Sequence, residues 1–366
     1  MNVAVIGAGA VGVTVAHDLA QRGVSVTLYE RGDIAAGSSG RAAGVLYDAY
    51  ADRKDAAIGR RAIERFREIS GDGDFEFEPC PYVWLARDGD ERRADAIREQ
   101  VSRMREHGLD VALLDGDDLG DRFPALRTDD VSVAGITTGA GYANPERYVR
   151  AMADNARAAG VEIRTGAEAS IRTDRPRVLA GDDQRTFDAV LVAAGAHTRE
   201  LLAEAGVQIP LKPYRVQALT GGPNYDGPMC YDATEGFYFR PHPAGLLAGD
   251  GTEPIEADPN QWERAGDDWF VSEVCEGVAH RAQIEVGVER AWAGLCVATP
   301  DHNPLLGELI EGVYVAVGWQ GHGFMRSPAL AEQVVKEMLG GEGISGFDPT
   351  RFDGDEEFEI VEGMAI

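Results

Sequence analysis

The residues best placed to do chemistry come first in the chain. Gly7-Ala8-Gly9-Ala10-Val11-Gly12 follows the apolar run Val3-Ala4-Val5-Ile6 and precedes a helical pattern. A second apolar run, Val24 to Tyr29, ends on Glu30 and Arg31, eighteen residues and more past Gly12. This is the wiring of a βαβ unit that binds a dinucleotide. Gly7 permits the tight turn, Gly9 lets a pyrophosphate approach the backbone, and Gly12 lets helix and strand pack closely. Ala10 and Val11 open the helix, whose free N–H groups and positive dipole end face the phosphates. Glu30 would accept hydrogen bonds from a ribose diol and repel a 2′-phosphate. The spacing alone does not separate NAD from FAD.

The elements that must position these residues fit a chain of 366 residues, long enough for a large core divided between two domains. A hydrophobic content of 44% excludes a disordered chain. The net charge of −27 is dispersed, and Lys54, Lys212 and Lys336 are the only lysines. That pattern resembles proteins of salt-in halophilic archaea, where salt screens the self-repulsion. An acidic interaction surface, the competing reading, would show as a local block. Such charge argues against nucleic acid or an anionic membrane as partner. No apolar run is long enough to span a bilayer. Residues 2–6 read as a core strand and not a signal peptide, so the expected location is cytoplasmic. Cys80, Cys230, Cys275 and Cys296 lack metal-type spacing and read as reduced, mostly buried thiols. No histidine pattern suggests a metal site.

Along the chain, the small-residue loop Gly37-Ser38-Ser39-Gly40-Arg41-Ala42-Ala43-Gly44 precedes a helix from about Asp55 to Ile69. Residues 75–87 read as strands and residues 90–107 and 115–122 as helices. Asn144-Pro145 reads as an N-cap with proline at the first helical position, opening a helix to about Ala159. The strands Val161–Ile163 and Phe187–Val192 follow. Strand and turn signals crowd residues 213–252. A helix is expected near 259–273, a strand over 283–298 and a last helix from about Ser327 to Leu339. The acidic tail after Phe347 is expected on the surface. Early alternation and a later strand-rich stretch predict an α/β fold. Its Rossmann-like cofactor domain (1–74, 143–212 and 293–366) interleaves with an antiparallel-β-rich substrate domain (75–142 and 213–292).

Several segments resemble the D-amino-acid oxidase superfamily of flavoproteins, which includes glycine oxidase and sarcosine oxidase. Residues 37–44 are similar to its second cofactor loop, and Ala193-Ala194-Gly195-Ala196-His197-Thr198 to a further FAD-contacting turn. Pro213-Tyr214-Arg215-Val216-Gln217 resembles the crossover strand into the substrate domain. Trp292-Ala293-Gly294-Leu295, with Thr299-Pro300-Asp301 and Pro304-Leu305-Leu306-Gly307, resembles a late motif near the flavin. Gly318-Trp319-Gln320-Gly321-His322-Gly323-Phe324 resembles the turn under the flavin ring. These matches keep family order over nearly the whole chain and favour FAD over NAD. The resemblance implies Ser38, Ser39, Arg41, Ala42, Ala43, Gly44, Ala194, Gly195, Gly294, Gly321, His322, Gly323 and Phe324 as FAD contacts. Glycine lets the backbone approach the ring closely.

The resemblance further implies oxidation of a C–N bond in a small amine or amino acid, of sarcosine, glycine or D-amino-acid type. A hydride passes to the flavin and the imine product hydrolyses, while the protein positions the reactants. His322 and Tyr238 are candidates for the site, as are Tyr47 and Tyr50 for its wall. The chain departs from the family in three ways. Cys296 stands where glycine oxidase carries a carboxylate-clamping arginine, and Met325 where sarcosine oxidases carry a lysine. A clamp must then come from Arg41, Arg53, Arg215, Arg240 or Arg326. Arg240 is favoured among the five, with an ordinary surface ion pair an equal alternative for each of them. Leu247 replaces a lysine that serves oxygen, which favours a dehydrogenase passing electrons to a carrier over an oxidase using O2. Gly294 replaces the cysteine that tethers FAD in some relatives, so the cofactor is expected to be non-covalent. Two readings stay beside this one: a dehydrogenase of a carboxylate-free or cyclic amine, and an electron-transfer subunit of a larger complex. Oligomeric state is left open.

Overall fold

The structure, a computed structural model, describes residues 1–361. Its first layer is a six-stranded sheet in the order Leu305–Ile310, Val313–Val317, Ala189–Val192, Asn2–Ile6, Ser25–Tyr29, Glu162–Arg164. All neighbours are parallel except the Leu305–Val317 hairpin. The four inner strands are apolar runs because both faces are covered. The strand Asn2–Ile6 lies where the order reverses, its chain successor Ser25–Tyr29 on one side and Ala189–Val192 on the other. That is the position at which an open α/β sheet leaves a crevice beyond its strand ends.

Helix Ala10–Ala20 crosses this sheet between the helices Pro145–Ala158 and Gly323–Met338. Its polar side chains are satisfied inside the core. Thr14 hydroxyl donates to the Ala10 carbonyl and pairs with Tyr148 Oη at 2.9 Å. Arg65 grips both Asp18 oxygens at 2.6 and 2.8 Å and also donates to the Pro328 carbonyl. Pro328, inside the last helix, has no N–H to offer the Phe324 carbonyl. The neighbouring Ser327 hydroxyl donates to it instead, at 2.8 Å.

The second layer is an eight-stranded sheet made from two distant stretches of chain. Its order is Val288–Ala298, Lys212–Gly221, Gly245–Glu256, Phe237–His242, Met229–Asp232, Tyr82–Arg87, Val131–Thr137, Val111–Leu114. Every pairing is antiparallel except Met229–Asp232 with Tyr82–Arg87, which joins the two stretches. Arg281, fully buried, ties the joint by donating to Asp232 and Asp130.

Most expected elements are present, and Asn144 caps its helix by accepting from the Arg147 N–H. Two expectations need correction. The helix expected near 259–273 is Asp268–Ala282. Residues 258–265 instead form bridges, one of them pairing Ala265 with Trp292, because Arg215 holds the Glu263 and Ala265 carbonyls. The last helix begins at Gly323, four residues before Ser327, so its first turn belongs to the glycine-rich segment. In the acidic tail, Ile360 is buried against Tyr214 and Ala298. None of the described helices is long and apolar enough to cross a membrane.

Candidate active site

One cavity of about 1420 Å³ runs from the tip of strand Asn2–Ile6 into the face of the eight-stranded sheet. This exceeds the roughly 300–1,000 Å³ of an ordinary small-ligand pocket and leaves room for a large cofactor with a second molecule.

At its nucleotide end the wall is mostly backbone. Gly7 has φ +107°, and a Cβ there would lie 2.4 Å from the Ala193 carbonyl oxygen. A Cβ on Gly12 would lie 1.9 Å from the Gly7 oxygen, so Gly12 lies behind the wall and lets the helix descend onto the turn. Gly9 is the N-cap of that helix, and its first turn holds no acidic residue. Glu30 is fixed by two backbone donors: Ala8 N–H reaches Oε2 and Gly32 N–H reaches Oε1, both at 2.8 Å. Each oxygen keeps a further lone pair for a hydroxyl. Arg31 lies against His197, and burial followed by that guanidinium lowers the imidazole pKa. The floor continues over Ala167–Ser170 and Leu179–Gly181, which sequence reasoning missed because the motif carries no signal for this added hairpin.

The loop 37–44 closes the middle of the cavity. Ser39 Oγ accepts from the Ala10 N–H, Ser38 Oγ donates to the Leu295 carbonyl at 2.6 Å, and Trp292 Nε1 donates to the Arg41 carbonyl. The cofactor loop is thus tied to the helix start on one side and to the late strand on the other. Ala42, Ala43, Gly44, Ala194, Gly195, Gly294, Gly321, Gly323 and Phe324 all contribute to the wall. The helix start at Gly323 opens onto it with no acidic residue in its first turn, an electropositive end beside the cavity.

The far end is aromatic. Tyr47 and Tyr82 stack at 4.6 Å between centroids, and Tyr238, Met229, Cys296 and Met325 share the chamber. Burial pushes the Cys296 thiol up to about 12, which keeps it protonated. Tyr50 lies behind Tyr47, hydrogen-bonded to the Met325 sulfur.

Two expected side chains stand elsewhere. The His322 ring is buried behind the wall, 3.3 Å from Tyr47 Oη, and only its neighbours Gly321 and Gly323 face the cavity. Burial, then the nearby Arg326 charge, brings its pKa down to about 3, so the ring is neutral. Arg240, favoured as a carboxylate clamp, is also behind the wall. It donates to the Ala43 and Pro241 carbonyls and lies over the Tyr142 ring. The reason is its hydrogen bonds and not strand alternation. Tyr238, two residues earlier, faces the cavity, but the Arg240 side chain is drawn to the back of the cofactor loop. Arg215 and Arg326 are consumed by Glu253 with Asp267 and by Asp55, and Arg53 is exposed on its helix. Of the five candidate arginines only Arg41 reaches the wall, its guanidinium over Trp262.

A residue that the sequence did not mark stands in the chamber wall. Asp250 is 7% exposed and its backbone φ is +129°. One carboxylate oxygen accepts from the Thr252 hydroxyl, and the other is buried with no hydrogen-bond partner. The only local signal is the Gly249-Asp250-Gly251 triplet interrupting a strand.

Residues 2–337 match the family described as DAO, FAD dependent oxidoreductase. The chain belongs to this FAD-dependent oxidoreductase family. A 4-methylaminobutanoate oxidase (formaldehyde-forming) of Paenarthrobacter nicotinovorans is 27% identical, over 95% of this chain and 44% of the relative. The sarcosine oxidase subunit beta of Rhodobacter capsulatus is 24% identical over 92% of this chain and 85% of that one. The crystal structure of L-proline dehydrogenase from P. horikoshii superposes with a TM-score of 0.86 at 26% identity, covering 96% of this chain and 97% of that one. The chain spans about half the length of the first curated relatives it matches.

The cavity fits the family's cofactor. The positions where a Cβ would collide, the fixed Glu30 carboxylate and the volume of the cavity suit a cofactor of the size of FAD. Among the described residues, no group of three metal-ligating side chains is close enough to hold an ion.

Proposed function

We propose that this flavoprotein oxidises a C–N bond in a small amine or amino acid. The observation that carries the reading is the continuity of the cavity, in which the dinucleotide cradle opens directly into an aromatic chamber. FAD, when bound there, supplies the hydride acceptor. The chain's own residues do the rest. Tyr47, Tyr82 and Tyr238 supply the apolar wall against which a small amine would pack. The helix start at Gly323 stabilises negative charge arising beside it. The neutral His322 holds Tyr47 in place from behind.

Three finer features belong to this reading. Among the described residues no lysine contributes to the cavity wall, and Leu247 packs with Ala218 and Trp292, which favours a dehydrogenase over an oxidase. Gly294 brings no thiol to the ring, and the protonated Cys296 is a poor nucleophile, so FAD is held without a covalent bond. The dispersed charge of −27 and four unpaired thiols support a cytoplasmic protein of a high-salt interior. Removing salt to well below about 1 M is expected to unfold it, read as loss of flavin and of helical circular dichroism. Full stability in dilute buffer would remove the salt claim and leave the chemistry untouched.

The test of the activity is anaerobic mixing of the FAD-loaded protein with single amines and amino acids, followed by readmission of air. Loss of the flavin colour with one of them supports the reading, and slow return in air supports the dehydrogenase. Retention of colour with every amine would favour an electron-transfer subunit of a larger complex.

A further inference from the structure

Asp250 has no assigned task, and its surroundings make it costly. Alternation along the strand Gly245–Glu256 sends Leu246 and Ala248 into the core under helix Asp268–Ala282, and Leu247 towards Ala218 and Trp292 on the cavity side. A Cβ on Gly249 would meet Tyr238, on the cavity side, whereas one on Gly251 would meet Phe270 of that helix. The face therefore switches across Asp250, where the pairing with Lys212–Gly221 also slips. The residue at the switch carries φ +129°, a conformation that side chains other than glycine rarely adopt. This break places Asp250 in the chamber wall, beside Cys296, whose thiol is pushed up first by burial and further by the Asp250 charge.

The carboxylate is also incompletely satisfied. Thr252 serves Oδ1, while Oδ2 is buried and has no partner. A buried acceptor without a donor costs on the order of 1–3 kcal/mol, more for a charged group. Among the described residues, no cationic side chain is hydrogen-bonded to Oδ2. The arginines on the cavity wall are Arg31, Arg41, Arg164 and Arg264. Arg31 and Arg164 stand at the nucleotide end, and Arg41 and Arg264 share the Trp262 ring.

We infer that Asp250 Oδ2 receives the N–H of the substrate's amine, and that the substrate is a cationic amine whose remaining body is apolar. This rests on the amine-oxidation reading and narrows it. An aromatic chamber with one unpaired carboxylate and no inner arginine accepts an ammonium and repels a free carboxylate.

The FAD-loaded protein, in one fixed high-salt buffer, tests this with ligands that cannot react. Tert-butylammonium has no hydrogen on its nitrogen-bearing carbon, and pivalate is its anionic analogue of the same shape. Calorimetry is expected to show tert-butylammonium binding and pivalate binding at least about tenfold more weakly. Asp250→Asn, which suits a positive φ, should weaken the ammonium by about tenfold to a hundredfold and leave pivalate unchanged or tighter. Asp250→Gly relieves the strain and should show the same loss in a protein at least as stable, which excludes misfolding as the cause. Equal binding by all three proteins, or tighter binding of pivalate to the native chain, overturns the assignment and leaves Oδ2 to an ordered water. Flavin reduction by amines is read separately. Reduction with an unchanged KM in both variants sinks the role of Asp250 alone. Asp250-dependent binding with no reduction by any amine sinks the activity alone.

Discussion

The two ends of the cavity are built from different material. At the nucleotide end, Gly7, Gly9 and the loop 37–44 present backbone, and the Glu30 side chain is itself pinned by backbone N–H groups. At the aromatic end, Tyr47, Tyr82, Tyr238, Asp250 and Cys296 present side chains, four of them from separate strands of the eight-stranded sheet and Tyr47 from a loop packed against it. The first end should tolerate almost no change and accept one ligand. The second should tolerate exchange with modest loss and change its preference as it does so.

The largest effect is expected where backbone meets backbone. Gly12→Val puts carbon 1.9 Å from the Gly7 oxygen and must separate helix from turn. A loss of about 3 kcal/mol and purification without flavin are expected, measured by denaturant midpoint and by the ratio of flavin to protein. A flavin-loaded, stable Gly12→Val protein would erase the contrast between the two ends.

An intermediate effect falls on the seam, at His322. Below about 6.5 the unfolded chain protonates this histidine, whereas the folded chain, with its pKa down at about 3, does not. The stabilisation is therefore complete above about 6.5 and declines as pH falls towards 3. By pH 5 it has lost about 2 kcal/mol. His322→Asn should flatten the stability profile across that window, measured by unfolding at a series of pH values. An unchanged profile would mean that the ring is not held neutral in the fold.

The smallest effect is expected in the chamber itself. Cys296→Ala removes a small, protonated group, and FAD should remain fully bound, to be released intact by acid precipitation. Stability should change by no more than about 1 kcal/mol. Flavin that stays with the precipitated native chain would contradict non-covalent binding.

The same division decides what the sequence discloses. Gly7, Gly12 and Glu30 are legible because the turn, the helix and the strand that they serve are local, and their spacing fixes the geometry. Tyr238 is legible as a strand residue near the chamber. The Arg240 side chain, on the same strand, is drawn instead to the Ala43 carbonyl, a partner about 200 residues away that no local pattern predicts. His322 was marked through its turn, but its side chain leans away from the face that the turn's glycines present. Asp250 was missed altogether. Its place depends on a register break between two strands, which a period of two cannot reveal.

The central claim is that one cavity joins a dinucleotide cradle to an amine-binding chamber. Anaerobic titration of the FAD-loaded native protein with a series of small amines and amino acids, followed at the flavin absorption band, tests it most directly. The account predicts that an amine bleaches the flavin in a saturable way, and that apolar cationic amines do so better than amino acids. A flavin that every amine leaves oxidised, while a chemical reductant bleaches it normally, would contradict the claim.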